Sequence, residues 1–229
     1  MIELTKYFVK AVLPGGARIY RRVMSIGQSL ARRGAGEIFT DIYRKGKWAD
    51  AESVSGRGST LARTRVVREA LPVLLEGVGA RSLFDAACGD FNWMRHVELG
   101  GLEYTGADVV TELVARNREL YGGEGRAFVV LDITRDRLPR ADAVLCRDCL
   151  IHLSFKHARA AIANFKRSGA RFLLATTHTS VRVNTDIKTG EWRSLNLRLP
   201  PFDFPPPAHL IVEDEELGKC LGLWSLEEI

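Results

Sequence analysis

The amino-acid sequence predicts an α/β domain built on a mostly parallel sheet. Three observations carry this expectation. Strand-like apolar runs alternate with helix-like segments from residue 82 onward, and such alternation implies parallel pairing through right-handed crossovers. Runs such as FVVL and FLLA are almost continuously apolar, as strands covered on both faces are. Successive strand-like segments end in an acid, at Asp85, Asp108 and Asp132. That places carboxylates on the side of the sheet where open α/β folds bind their ligands.

Taken in order, residues 1–49 read as short helices, with Ile19, Val23, Ile26 and Leu30 at helical spacing and arginines between them. Residues 1–47 hold ten Lys/Arg against three Asp/Glu in a chain of net formal charge +5, which leaves the remainder slightly acidic. A basic helical segment, residues 1–52, is therefore expected to precede a domain of residues 53–229. It would be drawn to an anionic partner, a membrane surface or RNA. The Ser/Gly-rich loop SVSGRGS (53–59) either closes over a ligand or links passively. Ser59 is the expected N-cap of a helix running to about Glu76, ended by Gly77 and Gly79.

Strands are expected over 82–87, 103–110, 127–132, 142–147 and 171–177, and helices over 111–121 and 155–169. The polar, Pro-rich stretch 178–207 is long enough to be functional. Segments 209–214 and 219–226 read as a terminal hairpin.

The chain's 229 residues suffice for one sizeable core. No apolar run reaches the length of a bilayer span, and the opening MIELTKYFVKAVLPGG has no secretory pattern; a cytoplasmic location is expected. Cys146 and Cys149 form a CxxC, but no second ligand pair follows at zinc spacing. They are expected to pack, and no metal is expected.

The most informative segment is SLFDAACGDFNWM (82–94). An apolar strand ends in Asp85, a small-residue turn follows (Ala86-Ala87-Cys88-Gly89), and a helix start is expected next. Small residues let a ligand approach the backbone, and amides at a helix start hold a carboxylate. Asp108, at the end of the second strand, is placed to accept from two ribose hydroxyls. Asp132, ending the third, is placed to meet an adenine amino group. A dinucleotide-binding G-x-G-x-x-G is absent, because Gly89 is followed by Asp90, Phe91, Asn92 and Trp93.

At these residues the chain resembles the class I S-adenosylmethionine (SAM)-dependent methyltransferases, over about residues 60–226. LFDAACGDF is similar to their first motif, commonly D-x-G-x-G-x-G, with Ala87 and Phe91 where two glycines usually stand. GADVV resembles their ribose-binding segment, VVLDIT their adenine-binding segment, and ADAVLCRDCLIHLS the strand that reaches their reaction centre. The resemblance implies a Rossmann-like seven-stranded sheet with helices on both faces and an antiparallel last strand. It implies SAM as cofactor, held at Asp85, Ala87, Gly89, Asp108, Val109, Asp132, Ile133 and Arg147.

Transfer to a hydroxyl needs a base beyond the fourth or fifth strand. His152 is the first candidate because neutral imidazole takes a proton near physiological pH; Asp148 and His178 are the others. Trp93 either lines the pocket or packs in the core. In loop 178–207, Asn184, Asp186, Trp192, Arg193, Asn196 and Asp203 form an expected substrate wall that suits a sugar, another hydroxylated small molecule or a peptide. Methyl transfer to a hydroxyl of a small molecule or glycan is therefore expected. The alternatives are a macromolecular acceptor, RNA or protein, motivated by the basic segment, and a non-catalytic SAM-binding protein.

Overall fold

A computed structural model describes residues 34–229. The positions Ile19, Val23, Ile26 and Leu30, and most of the basic segment, lie outside the described residues. The described elements are α1 (Ala35–Arg44), α2 (Leu61–Gly77), β1 (Ser82–Asp85), β2 (Glu103–Asp108), α3 (Thr111–Tyr121), β3 (Arg126–Val130) and β4 (Ala143–Cys146). They continue with α4 (Phe155–Arg167), β5 (Phe172–His178), β6 (His209–Asp214) and β7 (Lys219–Ser225).

The strands form one seven-stranded sheet in the order β3-β2-β1-β4-β5-β7-β6. Strands β1 to β5 pair in parallel, and β7 runs antiparallel to both β5 and β6. The expected hairpin is thus present, with β7 inserted beside β5 and β6 at the edge. The order of strand addition reverses between β1 and β4. A crevice opens at such a reversal, beyond the carboxyl ends of the strands.

Alternation along the central strands explains their continuous hydrophobicity. Leu83 of β1 and Leu145 of β4 pack with Val67, Leu71 and Leu75 of α2 and Val114 of α3. Phe84, Val144 and Cys146 face the other way, against Ala158, Ala161 and Phe165 of α4. That second face is completed by non-helical chain, with Leu131, Ile133 and Leu138 after β3 and Leu195, Leu197 and Phe204 before β6. The Pro-rich stretch is therefore a packed cover. Asn184 Nδ2 fastens it internally, donating to the carbonyls of Asn196, Leu199 and Pro200.

Two local expectations are corrected. Thr60, not Ser59, caps α2: its hydroxyl accepts the Arg63 amide, while Ser59 belongs to a preceding turn of 3-10 helix, Arg57–Ser59. No α-helix follows Gly89. Gly89 and Phe91 adopt left-handed backbone angles, φ 55° and 58°, which an α-helix does not admit. The chain instead makes a single 3-10 turn at Met94–His96 before β2.

Candidate functional site

A cavity of about 470 Å³ lies over the carboxyl ends of β1 to β5, within the range of small-molecule sites. Every candidate site residue lines it: Asp85, Ala87, Gly89, Asp108, Val109, Asp132 and Ile133 at one end, and Arg147, Asp148, His152 and His178 at the other.

At the first end, Asp85 closes β1 and is buried. The Tyr104 hydroxyl donates to it over 2.8 Å. Gly106 makes this possible, since a β-carbon there would stand 2.9 Å from the Tyr104 oxygen. Burial pushes the Asp85 carboxyl up to about 7, against the lowering pull of Tyr104 and the Ala87 amide. Asp108 accepts the Gly89 amide at 3.2 Å and the Val110 amide at 2.9 Å; burial raises its pKa despite those donors. Asp132 sits two residues past β3, where one carboxylate oxygen accepts the Thr134 amide at 3.0 Å and the Thr134 hydroxyl at 2.6 Å.

The small-residue turn is built from both sides. The Gly89 carbonyl accepts from Asn117 of α3 at 2.7 Å. Phe91 holds the left-handed geometry a glycine would adopt freely, a conformation costing about 1–2 kcal/mol. Its ring packs against Tyr104, Tyr121 and Phe128 at 5.2, 5.3 and 5.0 Å between centroids, and that burial offsets the strain. Loop 53–59 is latched over the turn. Asp90 accepts from Ser53 Oγ, the Val54 amide and Ser55 Oγ at 2.8, 2.9 and 3.1 Å. Ser55 lies so close that a side chain on Gly89 would collide with it. The helix start expected to bind a carboxylate is missing. Arg57 and Gly58 also line the cavity, where the Gly58 carbonyl meets Arg147, and their backbone amides have no partner among the described residues.

At the other end, four charged side chains form a closed network. Arg147 Nη2 meets Glu213 Oε2 at 2.5 Å and donates to the Gly58 carbonyl at 3.0 Å. Its Nη1 lies 3.3 Å from Asp148, and the guanidinium covers the Trp93 ring at 5.2 Å. Lys219 Nζ bridges Asp148 at 2.6 Å and Glu213 at 3.4 Å. The Arg147 and Glu213 side chains are 3% and 2% exposed, so each charge depends on its partner. Arg147 was expected to hold the cofactor; within the protein its bonds tie β4 to β6 and to the covering loop. Arg147 and Lys219 hold the Asp148 carboxyl down at about 2, overcoming its burial. Asp148 is consequently a weak base, and its place is in the ion network.

The two histidines carry opposite protons. His152 Nδ1 lies 3.0 Å from the Glu191 carbonyl. A carbonyl only accepts, so Nδ1 carries the hydrogen and Nε2 keeps its lone pair. Burial lowers the His152 pKa and favours this neutral form. His178, the last residue of β5, accepts the Leu195 amide at Nδ1 over 3.3 Å. Its hydrogen therefore sits on Nε2 in the neutral ring, which makes it a donor. Trp48 stacks on His152, 4.3 Å between centroids and 31° between planes, and touches Phe39 on α1.

Of the expected substrate wall only Trp192 lines the cavity. Asn184 and Asn196 staple the loop, Asp186 caps the Phe155 amide at 2.7 Å, and Arg193 is buried over Phe155, donating to the Leu153 carbonyl at 2.6 Å. Short polar side chains in a packed loop serve its own backbone first; Asp203 takes a left-handed turn position, φ 53°. Trp93 is both buried and at the cavity wall. The hydrogen bond with Cys149, together with burial, raises the Cys146 thiol well above its ordinary pKa. The residues missed in the sequence are Glu213, Lys219 and Arg57, and the aromatic group Phe39, Tyr43 and Trp48. An acid and a lysine at the turn end of an apolar hairpin were the available signal for the first two.

The chain matches no protein-family model, and no curated protein matches it in sequence. Solved structures do match. One is the magnesium protoporphyrin IX methyltransferase ChlM of Synechocystis PCC 6803 with bound SAM: TM-score 0.58, 15% identity, covering 85% of this chain and 98% of that one. Another is the 1,6-didemethyltoxoflavin-N1-methyltransferase of Burkholderia thailandensis with its substrate and S-adenosylhomocysteine: TM-score 0.56, 16% identity, covering 83% and 86%. The chain therefore has the Rossmann-like methyltransferase fold.

Two outcomes follow from this electrostatic arrangement. Glu213→Ala strips Arg147 and Lys219 of a shared buried partner. It is expected to cost about 3–5 kcal/mol, seen in a thermal melt as a fall of about 6–20 °C; a loss under about 1 kcal/mol would show that the network is not a structural tie. Asp85 should take up a proton on folding between its ordinary pKa of 3.8 and about 7. Its contribution to stability is full below that window and lost as pH rises through it. Urea titrations of wild type and Asp85→Asn should show wild type losing ground to the variant across that window and not above it; a constant difference would refute the raised pKa.

Proposed function

We propose that this protein is a SAM-dependent methyltransferase acting on a hydroxyl of a small molecule. The observation that carries the reading is one cavity with Asp85, Asp108 and Asp132 along the strand ends at one side and the lone pair of a neutral His152 at the other. The fold shared with two solved methyltransferases, bound to SAM or its demethylated product, supports it.

The residues present suit that cofactor. Asp108 offers a carboxylate to a ribose diol, beside a turn whose Gly89 makes room for Ser55 of the covering loop. Asp132 accepts an adenine amino group between Val109 and Ile133. Asp85 pairs with an ammonium, which favours its ionised form. The Arg57 side chain and the amides of Arg57 and Gly58 provide for a carboxylate. When bound, SAM supplies a methyl group on a positively charged sulfur. The chain's task is then to orient the acceptor oxygen in line with that group and to remove its proton.

His152 takes the proton at Nε2, and its Nδ1–H bond to Glu191 fixes the ring. His178 Nε2–H and Lys219 favour negative charge on the oxygen, and loop 53–59 with α1 and Trp48 excludes water. The volume of the cavity, about 470 Å³, suits a small acceptor. The described part of the basic segment lies against the site: Ala35, Phe39, Ile42 and Tyr43 of α1 line the cavity.

Two variants separate binding from chemistry. Asp108→Ala should weaken S-adenosylhomocysteine binding by about 1–3 kcal/mol in calorimetry, as two hydroxyls lose a charged acceptor. His152→Ala should keep that affinity while transfer of labelled methyl groups falls on the order of 10²–10⁴-fold. Unchanged affinity in the first variant would remove the ribose role, and undiminished transfer in the second would return His152 to packing.

A further inference from the structure

The acceptor end of the cavity has a composition that selects among hydroxyl compounds. Its roof is apolar and aromatic: Phe39, Ile42, Trp48 and Trp192, with Leu217 from the hairpin turn. Trp48 lies over His152 with its plane tilted by 31°, so an acceptor that reaches the His152 nitrogen must pass beside an aromatic face. Trp192 is 56% exposed, a large indole surface left uncovered beside the same cavity.

The polar groups there are almost all committed. Asp148, Glu213, Arg147 and Lys219 bond to one another. The polar side chains of loop 178–207 are turned to its own backbone and to α4. What remains is the His152 lone pair, the His178 Nε2–H, the Tyr43 hydroxyl, one Lys219 hydrogen and the indole N–H groups of Trp48 and Trp192, most of them donors. A sugar carries several hydroxyls, each needing a partner for its hydrogen once out of water, and with acceptors this scarce these groups cannot serve them. They suit one oxygen that gives up a proton and gains negative charge.

Resting on the methyltransferase reading, we infer that the acceptor is a small phenol: an aromatic ring laid along Trp48, with a single reacting hydroxyl at His152. The phenol oxygen forms a bond to the methyl carbon as the carbon–sulfur bond breaks. That bond's electron pair stays on sulfur, which leaves as a neutral thioether, and the O–H proton passes to His152 Nε2. Acidity agrees with the geometry. A phenol releases its proton near pH ~10, as tyrosine does, whereas an oxygen with water-like acidity does so only near ~15.7. A lone imidazole with pKa lowered by burial suits the former.

The test is calorimetry on the full-length protein saturated with S-adenosylhomocysteine, titrated with naphthol, its saturated counterpart decahydronaphthol, and methyl glucoside. Naphthol should bind about tenfold tighter than decahydronaphthol, at the upper end of what an aromatic pair adds, and methyl glucoside more weakly than either. Trp48→Leu should erase most of the naphthol preference while S-adenosylhomocysteine still binds. Trp192→Leu, at an exposed position, should reduce it if the first variant does not fold. Equal affinity for the aromatic and saturated rings, tighter binding of the glucoside, or a preference that survives both substitutions would overturn the inference. Failure of wild type to bind S-adenosylhomocysteine would instead bring down the methyltransferase reading, and this inference with it.

Discussion

The Arg147 guanidinium holds together parts of the chain that the sheet alone does not join. It lies one residue past β4 with its side chain 3% exposed, against Glu213 of β6, the Gly58 carbonyl of the covering loop, Asp148 and the Trp93 ring. A cation this buried is tolerated only when its charge and hydrogens are matched. Once matched, it fixes the hairpin, the loop and the cofactor turn relative to the carboxyl ends of the strands. Lys219 completes the network and leaves it neutral, with two cations facing two carboxylates. Its position beside His152 and His178 keeps charge close to the lone pair proposed to take the proton.

That network works because the strand order creates a place for it. Addition runs from β1 outward through β2 to β3, then turns to β4 and β5 on the other side. The reversal separates the first three strand-end acids from the groups beyond β4 by the width of one cavity. The cofactor half is rigid, with Asp108 bonded to the turn amides and Phe91 held in an aromatic cluster. The acceptor half is assembled from four distant stretches: α1 with Trp48, the turn after β4, the end of β5 with Trp192 of the loop beyond it, and the β6–β7 hairpin.

The first half was legible in the sequence, and the second only at Asp148, His152 and His178. Strand periodicity and terminal acids depend on residues close in sequence, so Asp85, Asp108, Asp132 and the bounds of α3 could be read directly. The left-handed geometry at Phe91 was hidden because side-chain identity there reports packing, while backbone angle follows the turn. Glu213 and Lys219 lie 66 and 71 positions from their partners Arg147 and Asp148; pairing at that range depends on strand order. Loop 178–207 misled for a related reason. Asn184, Asp186 and Asn196 look like substrate contacts, yet a long irregular backbone must satisfy its own carbonyls and amides, and these side chains do that. Basic charge near the N-terminus suggested a separate arm, while Phe39 and Trp48, hydrophobic and a few residues further on, belong to the cavity roof.

The central claim is that this cavity is built for an adenosyl amino acid. A dinucleotide needs a helix N-terminus after the glycine turn for its pyrophosphate, and here Gly89 and Phe91 preclude that helix. Titration of the purified full-length protein with S-adenosylhomocysteine and, separately, with NAD puts the difference to a direct measurement. The account predicts saturable single-site binding of S-adenosylhomocysteine and none of NAD; binding of NAD, or of neither, would contradict it.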